Sequence, residues 1–119
     1  MALDKQKKLV DLLLKKTSAG ELDWRETPDD QKFQVSLKSG SVRIEELEKP
    51  STIDFEIQVL NEDGVVVESF LDTDLDGGSQ EPKWFKKMKD LHELARRTVT
   101  GSEKILNSLL DELEDEMPF

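Results

Sequence analysis

The segment Asp72-Thr-Asp-Leu-Asp-Gly sets carboxylates at its first, third and fifth positions and a glycine at its sixth. That is the spacing by which a calcium loop gathers hard oxygen ligands around a tight turn. The rest of such a loop is absent. Its twelfth position is Lys83, where a bidentate glutamate would close the site, and its eighth is Ser79, where an apolar residue is usual. The residues before it read as a strand and not as the entering helix of a calcium hand. We expect an acidic connector ahead of a helix N-terminus, where carboxylates are favoured, with no metal and no tight calcium binding.

The other reactive groups are fewer. His92 is the only histidine, and it falls on an apolar row of a predicted helix with no HExxH motif, cysteine or nucleophile elbow to accompany it. A partly buried structural histidine is expected. Gly77-Gly78 lacks the lysine and serine or threonine of a phosphate loop, so no nucleotide cofactor is expected. Carboxylates are so numerous that no acid-base pair can be singled out. With no catalytic residue to name, we expect a protein that is not an enzyme. Lys83, Lys86, Lys87, Lys89, Arg96 and Arg97 form a basic belt on one predicted helix, which a phosphate backbone could contact. No aromatic residues interleave with these charges on an exposed face, so a solvated helix side is the plainer expectation.

The elements that must position these groups are legible in the hydrophobic pattern. Trp84, Met88, Leu91, Ala95, Thr98, Ser102, Ile105, Leu109 and Leu113 recur at spacings alternating near four and three, a helical seam, with Phe85, His92, Val99, Leu106 and Leu110 as a second row beside it. An unbroken helix of roughly 30 residues would measure about 45 Å, against about 30 Å for a compact domain of this size. Part of it must project, bend or find a partner. Thr98, Thr100 and Gly101 weaken the helix, and Thr100 with Glu103 suits a new capping box, so a break is expected near Thr100 that would let the last helix fold back. Ser79 is the expected cap of the first half, with Gln80, Glu81 and Pro82 in its first turn.

Upstream, Asp4 can cap a first helix carrying Leu9, Val10, Leu12, Leu13 and Leu14 and ending near Gly20. Leu22 and Trp24 alternate with charges as a short strand. Phe33, Val35 and Leu37 alternate with polar residues, and Lys38-Ser39-Gly40 turns the chain into Val42-Arg43-Ile44. After a polar loop over residues 45–52, Ile53, Phe55, Ile57 and Val59 alternate with Asp54, Glu56 and Gln58, and Asn61-Glu-Asp-Gly turns into residues 65–71. One-sided alternation predicts an antiparallel sheet with a wet face. Phe33, Val35, Leu37, Ile53, Phe55, Ile57 and Val59 should face the core, and Asp54, Glu56 and Gln58 should stay wet.

Composition sets the remaining bounds. At 119 residues, with 37% charged and 35% hydrophobic residues clustered at strand and helix periods, the chain should fold as a single domain over residues 1–119. It has no cysteine, which excludes disulfides and thiolate metal sites and suits a reducing, cytoplasmic setting. No apolar run reaches the length of a signal-peptide core or membrane span. The net charge of −10 opposes nonspecific binding to nucleic acid or anionic lipid. That charge is uneven: residues 1–20 carry +3, 21–81 carry −12, 82–101 carry +4 and 102–119 carry −5.

The stretch Thr17-Ser-Ala-Gly-Glu-Leu-Asp-Trp-Arg-Glu-Thr, the hairpins and Lys89-Asp-Leu-His-Glu-Leu-Ala-Arg-Arg together resemble a class of small prokaryotic α+β proteins. The resemblance implies a helix, a four-stranded sheet and a C-terminal helix, and it supplies no catalytic residue. The expected architecture is therefore α+β: a four-stranded antiparallel sheet of two hairpins, covered by an N-terminal helix and a long or kinked C-terminal helix. The expected role is a non-enzymatic, self-associating or partner-binding protein of the acidic kind seen in immunity proteins and inhibitors, by analogy. Trp84, Met88, Ile105, Leu109 and Leu113 are the candidate contact residues, and a homodimer is the simplest outcome. The alternative is a nucleic-acid-associated regulator using Lys83, Lys86, Lys87, Arg96 and Arg97.

Overall fold

A computed structural model describes residues 3–78 and 80–115, the side chain of Glu103 excepted. Helix α1 (Asp4–Ser18) starts one residue earlier than expected, with Leu3 at the N-cap position and the expected cap, Asp4, inside the first turn. Its other end follows the pattern that Gly20 promised. The Glu21 amide donates to the Lys16 carbonyl at 3.0 Å and the Gly20 amide to that of Thr17 at 3.0 Å, with Gly20 at φ 74°.

Strands β1 (Arg25–Glu26), β2 (Lys32–Ser36), β3 (Ser41–Lys49), β4 (Thr52–Leu60) and β5 (Val66–Leu71) then form one antiparallel meander in sequence order. The sheet has five strands, not four. The additional edge strand lies just past Leu22 and Trp24, and Trp24 itself turns into the core, where its indole Nε1–H donates to Thr17 Oγ1 at 3.0 Å. Residues 45–49, read as part of a loop, are also strand. Glu45 pairs with Glu56, Glu46 with Phe55 and Lys49 with Thr52, so β3 and β4 match along their whole length and the expected two hairpins merge into one continuous sheet. A nine-residue partner strand outweighs the low strand propensity of glutamate and lysine.

The helical layer covers one face of this sheet. Helix α3 (Lys83–Thr100) crosses β1 to β4, and α1 packs against α3. Between the layers lie Val10 and Leu13 from α1, Phe33, Val35, Val42, Ile44, Phe55, Ile57 and Phe70 from the sheet, and Met88, Leu91 and Ala95 from α3. Val59 packs against this core partly buried. Two expected core residues are not there. Leu37 lies beyond the end of β2 in the turn closed by its amide on the Gly40 carbonyl at 2.8 Å, and Ile53 sits at the far end of β4 opposite Glu48; both are exposed. The opposite face is the wet one, where Arg43 Nε donates to Gln34 Oε1 at 2.7 Å and Lys32 lies 3.5 Å from Glu45.

A short helix, α2 (Asp72–Asp76), stands where a loop was expected. The predicted helix break occurs at Gly101, whose φ of 68° ends α3 with its amide directed at the Arg97 and Thr98 carbonyls. Helix α4 (Ser102–Asp115) follows at once. It does not fold back. Every residue from Lys104 to Asp115 is exposed, and α3 is its main neighbour. The Cα radius of gyration is 16.8 Å, against about 13.5 Å for a compact chain of this length, because α4 projects.

Candidate interaction surface

The acidic segment is committed to the backbone. Asp74 Oδ2 accepts the Leu71 amide at 2.8 Å, which starts α2. Asp72, only 2% exposed, accepts the Phe55 amide of β4 through Oδ1 at 2.8 Å. Asp76 accepts the Trp84 amide at 2.8 Å and the Phe85 amide at 3.1 Å, so it satisfies the free donors that begin α3. This is the capping role expected of Ser79, a residue outside those described; Pro82 holds the N-cap position and Gln80 and Glu81 precede the helix. The three carboxylates thus diverge toward three different backbone targets, and among the described residues no group of acids, histidines or cysteines is arranged to hold a metal ion.

Beside them lies a cavity of about 370 Å³ lined by Thr52, Ile53, Asp54, Asp72, Thr73, Asp76, Gly78, Pro82 and Phe85. Asp54, expected to be wet, is buried here because Lys49 reaches across the hairpin to it at 2.6 Å. That hydrogen bond, with the charge of Asp54, holds the Lys49 ammonium above its usual range. Burial pushes the Asp72 carboxyl up despite the Phe55 amide, and neighbouring Asp54 pushes it further. The cavity thus offers buried carboxylates that serve the fold, with no histidine, lysine or serine among its described lining residues.

His92 is buried in the core. Its Nε2–H donates to the Gln31 carbonyl at 2.8 Å, and its ring lies 5.2 Å from Phe33 and 5.4 Å from Phe55. One hydrogen bond and two aromatic neighbours account for it.

The basic belt is partly neutralised. Lys87 bonds Asp11 of α1 at 2.7 Å while its ammonium lies 4.3 Å from the centre of the Trp84 ring. Lys7 and Lys83 approach the same indole at 5.9 and 5.7 Å, so three cations lie around one aromatic ring. Lys7 belongs to α1, and the packing of α1 on α3 brings this first-helix lysine beside the belt. Arg96 forms an ion pair with Glu93 one turn before it, which lowers the Glu93 carboxyl and raises the guanidinium. Lys86 is exposed and Arg97 half-buried.

The expected contact residues divide at Gly101. Trp84 and Met88 are in the core, 9% and 0% exposed, and cannot serve a partner. Upstream of the break, the seam from Trp84 to Ala95 is buried against the sheet and α1. Downstream, Ile105, Leu109 and Leu113 are between 49% and 57% exposed, and Leu106 and Leu110 from the second row fall in the same range. Residues 105, 106, 109, 110 and 113 lie on one side of α4 by their spacing, so the exposure is one continuous stripe. A second apolar exposure, which the sequence reading passed over, lies at the sheet edge: Val65, Val66 and Val67 beside and within β5, interrupted only at Glu68. The run of three valines without a charge was its signal.

Among the described residues, no helix is long and apolar enough to cross a membrane. No protein family, curated protein or solved structure matches this chain.

Proposed function

We propose that the protein is a non-enzymatic interaction module of the cytoplasm whose contact surface is the apolar stripe of α4. One observation carries this reading: five large aliphatic side chains remain about half exposed on a helix that projects from an otherwise closed core. Contiguous apolar exposure of this kind marks partner sites. Full burial of such a side chain is worth about 1.5–3 kcal/mol, so covering the remaining half of five contributes roughly 4–7 kcal/mol per copy. Association itself costs about 4–15 kcal/mol. The balance favours reversible over permanent contact. The lack of cysteine supports the reducing compartment.

The test is affinity capture from native cells with the unmodified chain and with Ile105→Asp/Leu109→Asp as paired baits. Proteins retained by the first and lost by the second, including a second copy of the chain, are the expected result. Identical capture by both baits would reject α4 as the contact surface. The nucleic-acid reading rests on the three ammonium groups around Trp84; for it, Lys7→Glu/Lys83→Glu should abolish a salt-sensitive gel shift of the purified protein.

A further inference from the structure

We propose that an open cavity at the start of α3 binds a small molecule carrying a di- or triphosphate group. The cavity measures about 640 Å³, and its described lining residues are Gln80, Glu81, Pro82, Lys83, Lys86 and Lys87. That size falls within the ~300–1,000 Å³ usual for small-ligand sites. It is separate from the α4 stripe and does not depend on what covers that helix.

Three lysines stand in this lining against one carboxylate, Glu81. Lys7 of α1 adds a cation beside them: its Nζ lies 5.9 Å from the centre of the Trp84 ring, with Lys83 at 5.7 Å and Lys87 at 4.3 Å. Like charges gathered around one ring are separated by distances comparable to the Debye length, ~10 Å at 0.1 M salt, and repel one another. Asp11 offsets Lys87. Among the described residues no carboxylate pairs with Lys7, Lys83 or Lys86. An anion in the cavity relieves that repulsion.

The ammonium groups, and not the helix end, would hold it. The Trp84 and Phe85 amides are already taken by Asp76, and the Lys86 amide donates to the Pro82 carbonyl at 3.2 Å. A bidentate clamp on one planar group is the work of arginine, whereas separate lysines act as point charges. Several point charges suit a ligand with several charged groups in a short chain, as a di- or triphosphate has.

Charge also limits the size of the ligand. Residues 1–20 carry +3 and residues 82–101 carry +4, and the packing of α1 on α3 joins them into one basic island on a chain of net charge −10. A long polyanion crossing this island meets acidic surface beyond it, while a short phosphate chain stays within it.

Isothermal titration calorimetry on the full-length protein, with sodium tripolyphosphate as the probe, tests the site. Saturable binding of one ion per chain is expected, weakening as salt is added. Lys83 and Lys86 are exposed, and Lys83→Gln/Lys86→Gln should weaken binding by about tenfold or more through the loss of charge-assisted contacts. Lys15→Gln/Lys16→Gln removes the same charge from the other end of α1 and should leave the affinity unchanged. Circular dichroism checks that both variants fold, and Lys86→Gln alone should give a smaller loss of the same sign. An equal loss in the two double variants would reduce the effect to net charge and overturn the cavity. No saturable binding at millimolar tripolyphosphate would overturn the ligand class, as would citrate binding equally tightly. Tighter Lys86-dependent binding of a thymidine oligonucleotide would assign the face to nucleic acid, and of phosphatidylglycerol vesicles to a membrane; either overturns a free small ligand.

Discussion

Replacing Asp72 by alanine and by asparagine separates the two things this side chain does. Its Oδ1 accepts the Phe55 amide at 2.8 Å in a site only 2% exposed, and the charge it carries is disfavoured there by burial and by Asp54. Both variants remove the charge, and asparagine alone can keep the acceptor. Asp72→Ala leaves the Phe55 N–H buried without a partner, a loss of about 1–3 kcal/mol, so it should be less stable than Asp72→Asn by that amount. The pH dependence carries a definite sign. A carboxyl whose folded pKa is raised binds its proton more readily in the native state, so its ionisation destabilises the fold above the folded pKa. That penalty disappears as the pH falls below the ordinary aspartate value of about 3.9. Asparagine has no such penalty, so its stability relative to the unmodified protein should be greatest near pH 7 and decline on acidification. Urea denaturation followed by tryptophan fluorescence at neutral and acidic pH measures both. Equal stability of the alanine and asparagine variants, or an asparagine advantage that grows toward low pH, would refute the account.

Two further substitutions probe the core and the turns. Phe55 is fully buried with Phe85 and His92 rings 5.6 and 5.4 Å away, so Phe55→Ala should lower stability by about 3–5 kcal/mol in the same denaturation assay. A side-chain carbon on Gly40 would lie 2.2 Å from the Leu60 carbonyl oxygen, a backbone atom that cannot step aside. Gly40→Ala should therefore cost more than about 1 kcal/mol, with the thermal midpoint falling; an unchanged midpoint would show that the hairpin yields.

The sequence revealed those elements whose burial follows a simple period. Phe33 and Val35, Phe55 and Ile57, and the α3 row from Trp84 to Ala95 are one-sided in sequence and one-sided in space. It failed where a partner distant in the chain decides the outcome. Glu45 to Lys49 look like loop until the matching strand from Thr52 supplies their hydrogen bonds, and Asp54 looks wet until Lys49 arrives beside it. The acids at 72, 74 and 76 resemble a ligand set because alternating carboxylates also suit the backbone donors at a strand-to-helix corner. The proposed contact surface was half legible: the seam through Trp84 and Leu113 was visible, but only the fold reveals that the break at Gly101 divides it into a core half and an uncovered half.

The fourteen residues of α4 have another consequence. Isolated helices shorter than about 12–15 residues are marginal in water, because nucleation fixes several residues before hydrogen bonds accumulate. With little packed against it beyond the end of α3, α4 draws little support from tertiary contacts, so its helicity rests on its own sequence and on whatever covers its stripe. Occupancy and helicity then become a single equilibrium. Replacing Asn107 and Ser108 by alanine raises helix propensity by a few tenths of a kcal/mol each without adding a contact to the stripe. Any partner of that stripe gains affinity by the same increment, so the strength of association can be tuned from the side of the helix that no partner touches.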